Sequence, residues 1–338
     1  MNEKETKRIP MLDIIVPHYK EPWEVGEKFF AMLNLQRGID FSSFRVTVVN
    51  DGEENSLSDD HFSACPYPVR QIDIPHAGVS AARNAGLKAA EAEWVMFCDF
   101  DDMFSNVYAI RGIMEILPAN DFDMLWCKLL TEDLLDGRNM IRYSPEKSNF
   151  VFVHGKLYRR KFLLNHDIWF DEELIFNEDS AFNAIIHTYV DYKRTGEINT
   201  FAPPYIWCRR KNSVTTTPDR ADEAMWGHYR RNLKVCEAHE KRLSYDRFCG
   251  MVTRTVFDAY YMVHGDEISA AMKEKIKRDF RSFLVQNYVH FGKVSDKILD
   301  EIKDISYREL IKKGEINRAS MHAVGEWAES LLKEGDAP

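Results

Sequence analysis

The first part of the chain alternates between short apolar runs and longer amphipathic stretches. The short runs are rich in β-branched and aromatic residues and end in Pro, Asn, Asp or Gly, which is typical of strands. The stretches between them carry Ala, Leu, Glu and Lys and are predicted to be helices. This alternation indicates an α/β fold, an open and mostly parallel sheet with helices on both faces. The four predicted strands are Met11–Tyr19, Phe44–Asp51, Tyr67–Pro75 and Trp94–Asp102.

The pattern changes twice further along the chain. From about Asp123 strands and helices are mixed, and a helix is predicted to begin near Asn177. After Pro218 apolar residues repeat at helical spacing. We therefore predict a domain of the GT-A (Rossmann-like) type over residues 1–217 and a helical region over residues 218–338. The apolar faces of the helices are interpreted as packing surfaces, with a homo-oligomer interface, an acceptor platform and a membrane-facing surface as alternatives.

Composition narrows the class of protein. The chain of 338 residues is 45% hydrophobic and 29% charged, which suits a folded globular protein. Its net charge of −9 argues against nucleic acid as a partner, because nucleic-acid-binding surfaces are usually basic. The cysteines form no C-x-x-C pair, no apolar run reaches the ~18 residues of a membrane span, and the N-terminus lacks a signal-peptide core. We expect a cytoplasmic protein, with peripheral attachment to the inner face of the membrane left open.

Acidic residues gather at the end of the fourth predicted strand, in the sequence WVMFCDFDDMF. Alternate residues of a strand face one side, so Asp99 and Asp101 should point together and Phe100 away. Neighbouring carboxylates repel unless a cation joins them, and oxygen ligands suit Mg²⁺ or Mn²⁺. The alternative is a solvated acidic turn before a helix capped by Ser105. Because ligands bind beyond the carboxyl ends of parallel strands, the polar ends of the first, second and fourth strands should converge.

Four blocks of sequence carry a resemblance to a known family. They are IIVPHYKE, VTVVNDGEEN, HAGVSAARNAG and WVMFCDFDD, in this order. They resemble the family 2 glycosyltransferases of the GT-A fold, whose members read as strands into P-x-Y-N, D-D-G-S, G-x-S-x-A-R-N-x-G and D-S-D-D. A later segment, HGKLYRRKFLLNHDIWFDEELIFNEDSAFN, resembles the acceptor side of the same family, so the resemblance extends to about Thr217. The chain departs from the pattern at Lys20, Asn50 and Phe100.

The resemblance implies a role for each matching residue. Pro17 and Tyr19 would line the nucleoside pocket, and Asp51 would hydrogen-bond the base, which is expected to be uracil. Asp101 would bind the divalent ion, Mn²⁺ or Mg²⁺, that bridges the donor phosphates. The other expected donor contacts are Arg83, Asp99, Arg209 and Arg210. The alternative for Arg83 is a surface salt bridge, and the alternative for Arg209 and Arg210 is a solvated basic turn.

The E-D pair of the later segment supplies the predicted catalytic residues. Glu178 and Asp179 lie at the predicted start of a helix, where the helix dipole favours an ionised carboxylate. By resemblance, Asp179 is the catalytic base that takes the proton of the acceptor hydroxyl, and Glu178 orients the acceptor. Helix capping is the alternative. His154, earlier in the same segment, is interpreted as structural, because a lone histidine usually is.

These assignments predict an inverting, metal-dependent glycosyltransferase. It would move a sugar from a nucleotide diphosphate sugar, expected to be a UDP-sugar, to a saccharide or lipid-linked saccharide. The Q-x-x-R-W signature of processive members is absent, which favours single addition, with surface polysaccharide or glycoconjugate synthesis as the expected setting. Two alternatives stay open. One is a sugar-phosphate nucleotidyltransferase, which would carry a glycine- and arginine-rich phosphate loop after the first strand. The other is a non-catalytic binding module that has kept the fold.

Overall fold

A computed structural model gives the fold of the chain. It describes residues 9–119, 121–135, 138–143, 151–198, 203–208, 220–240, 244–310 and 319–334. The chain divides into two compact units, the first within residues 1–173 and 189–217 and the second within residues 174–188 and 218–338. The segment with Glu178 and Asp179 therefore groups with the C-terminal helices. The division at residue 217 into separate domains stays a prediction.

The described residues form strands and helices in an order that begins with the predicted alternation. The strands are β1 (Leu12–His18), β2 (Phe44–Asp51), β3 (Val69–Ile74), β4 (Trp94–Phe97), β5 (Met103–Phe104), β6 (Met124–Cys127), β7 (Leu129–Leu135), β8 (Arg138–Tyr143), β9 (Lys156–Arg159), β10 (Thr195–Ile198) and β11 (Tyr205–Cys208). The helices are α1 (Trp23–Asn34), α2 (Val79–Ala89), α3 (Ala109–Met114), α4 (Arg160–Asn165), α5 (Glu178–Tyr189), α6 (Ala221–Glu240), α7 (Tyr245–His264), α8 (Ala270–Asn287), α9 (Asp296–Leu310) and α10 (Met321–Lys333).

The first unit is built on a seven-stranded sheet in the order β10-β6-β9-β4-β1-β2-β3. Its strands pair in parallel, except that β9 runs antiparallel to both of its neighbours, β4 and β6. A smaller sheet in the order β5-β11-β7-β8 accompanies it. The prediction of a mostly parallel open sheet followed by a C-terminal helical region is confirmed.

The centre of the large sheet is buried on both faces, which explains why its strands read as continuous apolar runs. Ile14 and Ile15 of β1 are both fully buried, and the alternation of a strand directs them to opposite faces. On one face, Ile14 packs in a cluster with Phe29 and Leu33 of α1. On the other, α2 approaches so closely that a Cβ on Gly86 would lie 2.3 Å from Ile15. Two helices thus fix the position of the strand that leads to the predicted nucleotide pocket.

The second unit is helical and has its own core. Residues from α6, α7, α8, α9 and α10 form this core, and Tyr229, Phe257, Phe280 and Val324 are among its fully or nearly fully buried members. The apolar stripes of the helical region are therefore packing surfaces, as interpreted from the sequence. Within the described ranges, no helix is both long enough and apolar enough to span a bilayer.

Candidate active site

Three strand ends meet at one edge of the large sheet, as the sequence predicted. Strand β1 lies between β2 and β4 and is parallel to both, so their carboxyl ends share that edge. His18 and Asn50, the register partners at the ends of β1 and β2, are joined by a contact of 2.9 Å between His18 Nδ1 and Asn50 Oδ1. Asn50 stands where an aspartate is common in the resembled family. It is buried here, and its side-chain amide donates to Asp73 Oδ1 at 2.8 Å.

Asp51, the last residue of β2, closes a loop with its carboxylate. Its Oδ1 accepts the backbone N–H of Ala77 at 2.7 Å, and its Oδ2 accepts that of Gly78 at 2.9 Å. His76 Nδ1 lies 2.9 Å from the same Oδ2. Gly78 has φ +94°, a conformation that favours glycine. The predicted base-binding residue is thus 3% exposed and organises the loop that enters α2.

An aromatic pair lies beside Asp51. The rings of Tyr19 and His76 stack with centroids 4.2 Å apart and planes at 9°. Pro17 is half-buried within β1, and Tyr19 follows the end of the same strand. The structure therefore brings together the predicted nucleoside residues Tyr19 and Asp51 and links them through His76. Sequence reasoning missed His76, because a single histidine before a glycine carries no specific signal.

The side chain of Arg83 places a positive charge next to the carboxylate of Asp99. Its Nη2 donates to Asp99 Oδ1 at 3.0 Å, and the Arg83 side chain is 3% exposed while that of Asp99 is 29% exposed. The guanidinium also lies over the ring of Phe170, 5.3 Å from its centroid. The salt-bridge alternative is therefore half right: Arg83 forms an ion pair, but a buried one. A direct contact of Arg83 with a nucleotide stays a prediction.

The acidic segment after β4 is a turn, and this corrects its predicted geometry. Strand β4 ends at Phe97, and the backbone N–H of Asp102 donates to the carbonyl of Asp99 at 3.2 Å. The strand alternation that would pair Asp99 with Asp101 therefore does not apply. Phe100 is buried within this turn and is 3% exposed. Asp101 is half-buried, and its assignment as a metal ligand stays a prediction.

Phe100 fills space that a glycine leaves open. A Cβ on Gly26 of α1 would lie 2.2 Å from Phe100 Cζ, and the ring cannot retreat freely because His18 and Trp23 pack against it. Gly26→Ala should therefore lower the free energy of unfolding by about 1–3 kcal/mol, the usual cost of overpacking. Urea denaturation measures it, with Glu27→Ala, an exposed position on the same helix, as the control. Equal stability of the two variants would refute the contact.

Asp102 is buried beneath the cluster. It has no exposed surface, and its carboxylate accepts the Tyr205 hydroxyl at 2.7 Å and the Cys208 N–H at 2.8 Å. Burial, followed by repulsion from Asp99 and Asp101, raises the pKa of Asp102 well above its usual range. A bound cation would offset both effects.

His154 joins two of these carboxylates. Its Nε2 lies 3.8 Å from Asp99 Oδ2, and its Nδ1 lies 3.8 Å from Asp102 Oδ2. Nδ1 is buried and has no hydrogen-bond partner among the residues that the structure describes. One ligand atom from each of Asp99, Asp102 and His154 lies within 4.8 Å of the others, a spacing that a metal ion could bridge. The grouping omits Asp101 and includes a histidine that the sequence had suggested was structural.

The predicted catalytic pair lies in the second unit, at the start of α5. Both residues are in the first turn of the helix, where the dipole favours negative charge. Asp179 is 8% exposed and Glu178 is half-buried. Asn177 precedes them with φ +64°, and its carbonyl accepts the first helical N–H, from Ala181, at 2.9 Å. The helix start predicted near Asn177 is thus confirmed, while the catalytic roles stay predictions.

The remaining predicted donor contacts, Arg209 and Arg210, fall outside the described residues. Of the other predicted donor residues, the first unit gathers Pro17, Tyr19 and Asp51 at the ends of β1 and β2, and Arg83 with Asp99 after β4. It adds His76, Asp102 and His154, which the sequence did not single out as ligand contacts.

The residues that form this edge lie in a segment that matches a known protein family. Residues 13–180 match the model of the family described as "Glycosyl transferase family 2". The "uncharacterized glycosyltransferase EpsJ" of Bacillus subtilis (strain 168) is 27% identical over 231 residues, 62% of this chain and 64% of that protein. TarS of Staphylococcus aureus (strain Mu50), a poly(ribitol-phosphate) β-N-acetylglucosaminyltransferase, is 28% identical over 232 residues, 63% of this chain and 39% of TarS. The chain thus matches less than two thirds of the length of either relative.

A solved structure shows the same fold. The crystal structure of S. aureus TarS 1–349 aligns with a TM-score of 0.62 at 16% identity, over 96% of this chain and 88% of that one. The same TarS fragment in complex with UDP-GlcNAc aligns with a TM-score of 0.62 at 17% identity. At such identity the likeness concerns the fold, which is the GT-A fold expected from the sequence. Through the domain that residues 13–180 match, the chain belongs to the family 2 glycosyltransferases.

Proposed function

We propose that the chain is an inverting glycosyltransferase that moves a sugar from a UDP-sugar to an acceptor hydroxyl, with Mn²⁺ or Mg²⁺ as cofactor. One observation carries the proposal. Tyr19, Asp51 and Asp99 lie at or just beyond the ends of three neighbouring parallel strands, all within the residues that match the family. This is the edge of an open α/β sheet at which ligands bind.

The nucleoside half of the donor is assigned to the Tyr19–His76 side of the edge. The two stacked rings offer an aromatic surface for a planar base, and Asp51 lies against His76. The half-exposed His76 side chain leaves part of its ring available to a ligand. Uracil is proposed as the base because the same fold in TarS has been crystallised with UDP and with UDP-GlcNAc.

The diphosphate half is assigned to the acidic turn and its metal ion. Asp99, Asp102 and His154 offer two oxygen ligands and one nitrogen ligand, and the buried Nδ1 of His154 has no partner in the described part of the chain. Carboxylates suit Mg²⁺ and Mn²⁺, whereas imidazole more often binds transition-metal ions such as Zn²⁺ and Fe²⁺. These three groups fit a divalent ion, and Asp101 of the same turn is proposed as a further ligand. When bound, such an ion would neutralise the charge of the leaving diphosphate.

Asp179 is proposed as the catalytic base. It lies in the first turn of α5, and an ionised carboxylate at this position can accept a proton. The carboxylate would take the proton of the acceptor hydroxyl as the hydroxyl oxygen attacks the anomeric carbon from the side opposite the diphosphate. A single displacement of this kind inverts the configuration. Glu178, next to it, is proposed to orient the acceptor.

The acceptor is proposed to be a saccharide or lipid-linked saccharide that receives one sugar at a time. The similarity to TarS, a poly(ribitol-phosphate) β-N-acetylglucosaminyltransferase, supports a setting in surface polysaccharide or glycoconjugate synthesis. The cytoplasmic location, peripheral membrane attachment and homo-oligomer formation stay predictions.

Slow donor hydrolysis tests the proposed function without an identified acceptor. The full chain should be incubated with a panel of UDP-, GDP-, ADP- and dTDP-sugars in the presence of Mn²⁺. We expect a UDP-sugar to be hydrolysed fastest, because water can replace the acceptor hydroxyl, and we expect EDTA to stop the reaction. Calorimetry with each free nucleoside diphosphate is the companion measurement. If none binds more tightly with Mn²⁺ than with EDTA, and no sugar nucleotide is cleaved, the proposal is wrong.

A further inference from the structure

We propose that helix α6 positions the catalytic segment, with Gly227 and Arg231 as the positioning residues. The proposal rests on the proposed function, in which Asp179 is the base. It assigns a task to the helical region, namely to fix the start of α5 so that Asp179 presents its carboxylate in one orientation. Three contacts within the second unit support it.

The first contact is a close approach of two backbones. Gly227 is buried on α6, and a Cβ there would lie 2.4 Å from the carbonyl oxygen of Phe176. No side chain can move aside to relieve that clash, because the obstructing atom belongs to the main chain. Arg220 reinforces the approach from the position just before α6, since its guanidinium lies 4.7 Å from the centroid of the Phe176 ring. The chain is thus held three residues before Asp179.

The second contact fixes the residue that begins α5. Asn177 Nδ2 donates to the carbonyl of Ala224 on α6 at 3.3 Å. Asn177 has φ +64°, which asparagine tolerates better than most residues because its short polar side chain can bond nearby backbone groups. Its carbonyl in turn accepts the N–H of Ala181. The direction in which α5 leaves the preceding loop is therefore tied to α6.

The third contact lies immediately after the predicted base. Arg231 Nε on α6 donates to Ser180 Oγ at 3.0 Å, and its Nη1 donates to Asn232 Oδ1 at 2.8 Å. Asn232 Nδ2 donates to Asp258 Oδ2 on α7 at 2.8 Å. Asn232 and Asp258 are 5% and 1% exposed, so this chain of hydrogen bonds ends in the core of the unit. Arg231 thus connects a buried network to the neighbour of Asp179.

The three contacts fall on both sides of the Glu178–Asp179 pair. A helix start needs only a cap to be stable, whereas contacts at Phe176, Asn177 and Ser180 also fix its rotation and its position along the axis. The proposed reaction needs a carboxylate within hydrogen-bond reach of one hydroxyl, so the rotation and the position of the helix start must both be fixed. We infer that α6 serves the chemistry of the first turn of α5 as well as the packing of the unit.

Arg231→Met tests the inference, because it keeps an unbranched apolar stem that reaches about as far as Nε and removes the hydrogen bonds of the guanidinium. We expect kcat for hydrolysis of the preferred UDP-sugar to fall ~10- to 100-fold, the effect of a small misplacement of a reacting group. The KM for the donor and the dissociation constant of UDP with Mn²⁺ should change little. Arg231→Lys, which can still donate to Ser180, should recover part of kcat. Gly227→Ala should lower kcat in the same way, and Arg231→Met keeps the test valid if Gly227→Ala fails to fold.

Arg230→Met is the matched control. Arg230 precedes Arg231 on the same helix, but its Nη1 lies 3.5 Å from Asp279 Oδ2 on α8. A loss of kcat in Arg230→Met equal to that in Arg231→Met would overturn the inference, as would a wild-type kcat in a folded Arg231→Met. Adding Arg231→Met to Asp179→Asn should cause no further loss, because the positioned group is already gone. If Asp179→Asn itself retains activity, the assignment of the base fails; if only the Arg231 variants are fully active, the base stands and the positioning role fails.

Discussion

Asp179→Asn is expected to abolish sugar transfer while leaving nucleotide binding nearly intact. The amide has the shape of the carboxylate but cannot take a proton from the acceptor hydroxyl. Loss of a general base usually costs ~10²- to 10⁴-fold in rate, and kcat should fall within that range. A general base acts on the acceptor hydroxyl and not on the nucleotide, so the contribution of Asp179 to UDP affinity should be small. A transfer or hydrolysis assay beside calorimetry with UDP and Mn²⁺ measures both effects.

Asp222→Asn is the control for the capping alternative. Asp222 is also a carboxylate in the first turn of a helix of the second unit, and its side chain accepts the backbone N–H of Ser269 at 2.8 Å. If Asp179 served only as a helix-end charge, both variants would lose a similar, small amount of stability and keep their activity. An active Asp179→Asn enzyme would rule out the assignment of the base.

Asp101→Ala is expected to weaken UDP binding only when metal is present. A metal ligand acts on the diphosphate through the ion, so its removal should lower UDP affinity at least ~10-fold with Mn²⁺ and change nothing in EDTA. The grouping of Asp99, Asp102 and His154 makes a second variant informative. His154→Ala should show the same dependence on metal if the imidazole belongs to the site.

The comparison of the two variants decides which residues form the metal site. A metal-dependent loss in His154→Ala but not in Asp101→Ala would exclude Asp101 from the set of ligands and leave Asp99, Asp102 and His154. An identical loss for Asp101→Ala with and without EDTA would show that Asp101 does not bind the ion. Asp60→Ala, which removes an exposed carboxylate of the first unit, controls for a general change in charge. Calorimetry of UDP at matched ionic strength, once with Mn²⁺ and once with EDTA, provides both measurements for the wild type and for each of the three variants.

The sequence predicted the sheet edge because its signals are local. Strands buried on both faces appear in the sequence as continuous runs of apolar, β-branched residues. In β1 and β2 these runs end directly at polar residues. The start of α5 could also be predicted, because polar residues come directly before an amphipathic stretch. Asp51 and Asp99 were therefore located correctly at the ends of the two strands that flank β1. The partners of Asp51, which come from the loop between β3 and α2, were not predicted.

The metal-site geometry could not be predicted because it depends on distant parts of the chain. Asp102 is buried by Tyr205, which is 103 residues away, and His154 reaches Asp99 from the segment before β9. The alternation rule failed after β4 because Phe100 packs beside Gly26 and the chain turns there. The prediction that Ser105 caps a helix was also wrong because of a contact with a distant residue. The Ser105 hydroxyl donates to the carbonyl of Pro203, and α3 begins only at Ala109.

The loop held by Asp51 has a consequence for how a donor would arrive. The carboxylate accepts the N–H groups of Ala77 and Gly78, so the protein's own hydrogen bonds hold this loop, which forms one wall of the proposed nucleotide pocket. The conformational entropy of the loop is lost when the chain folds, so it does not weaken association later. Encounter at this wall should resemble docking to a rigid surface, limited by diffusion and charge and not by closure of the loop.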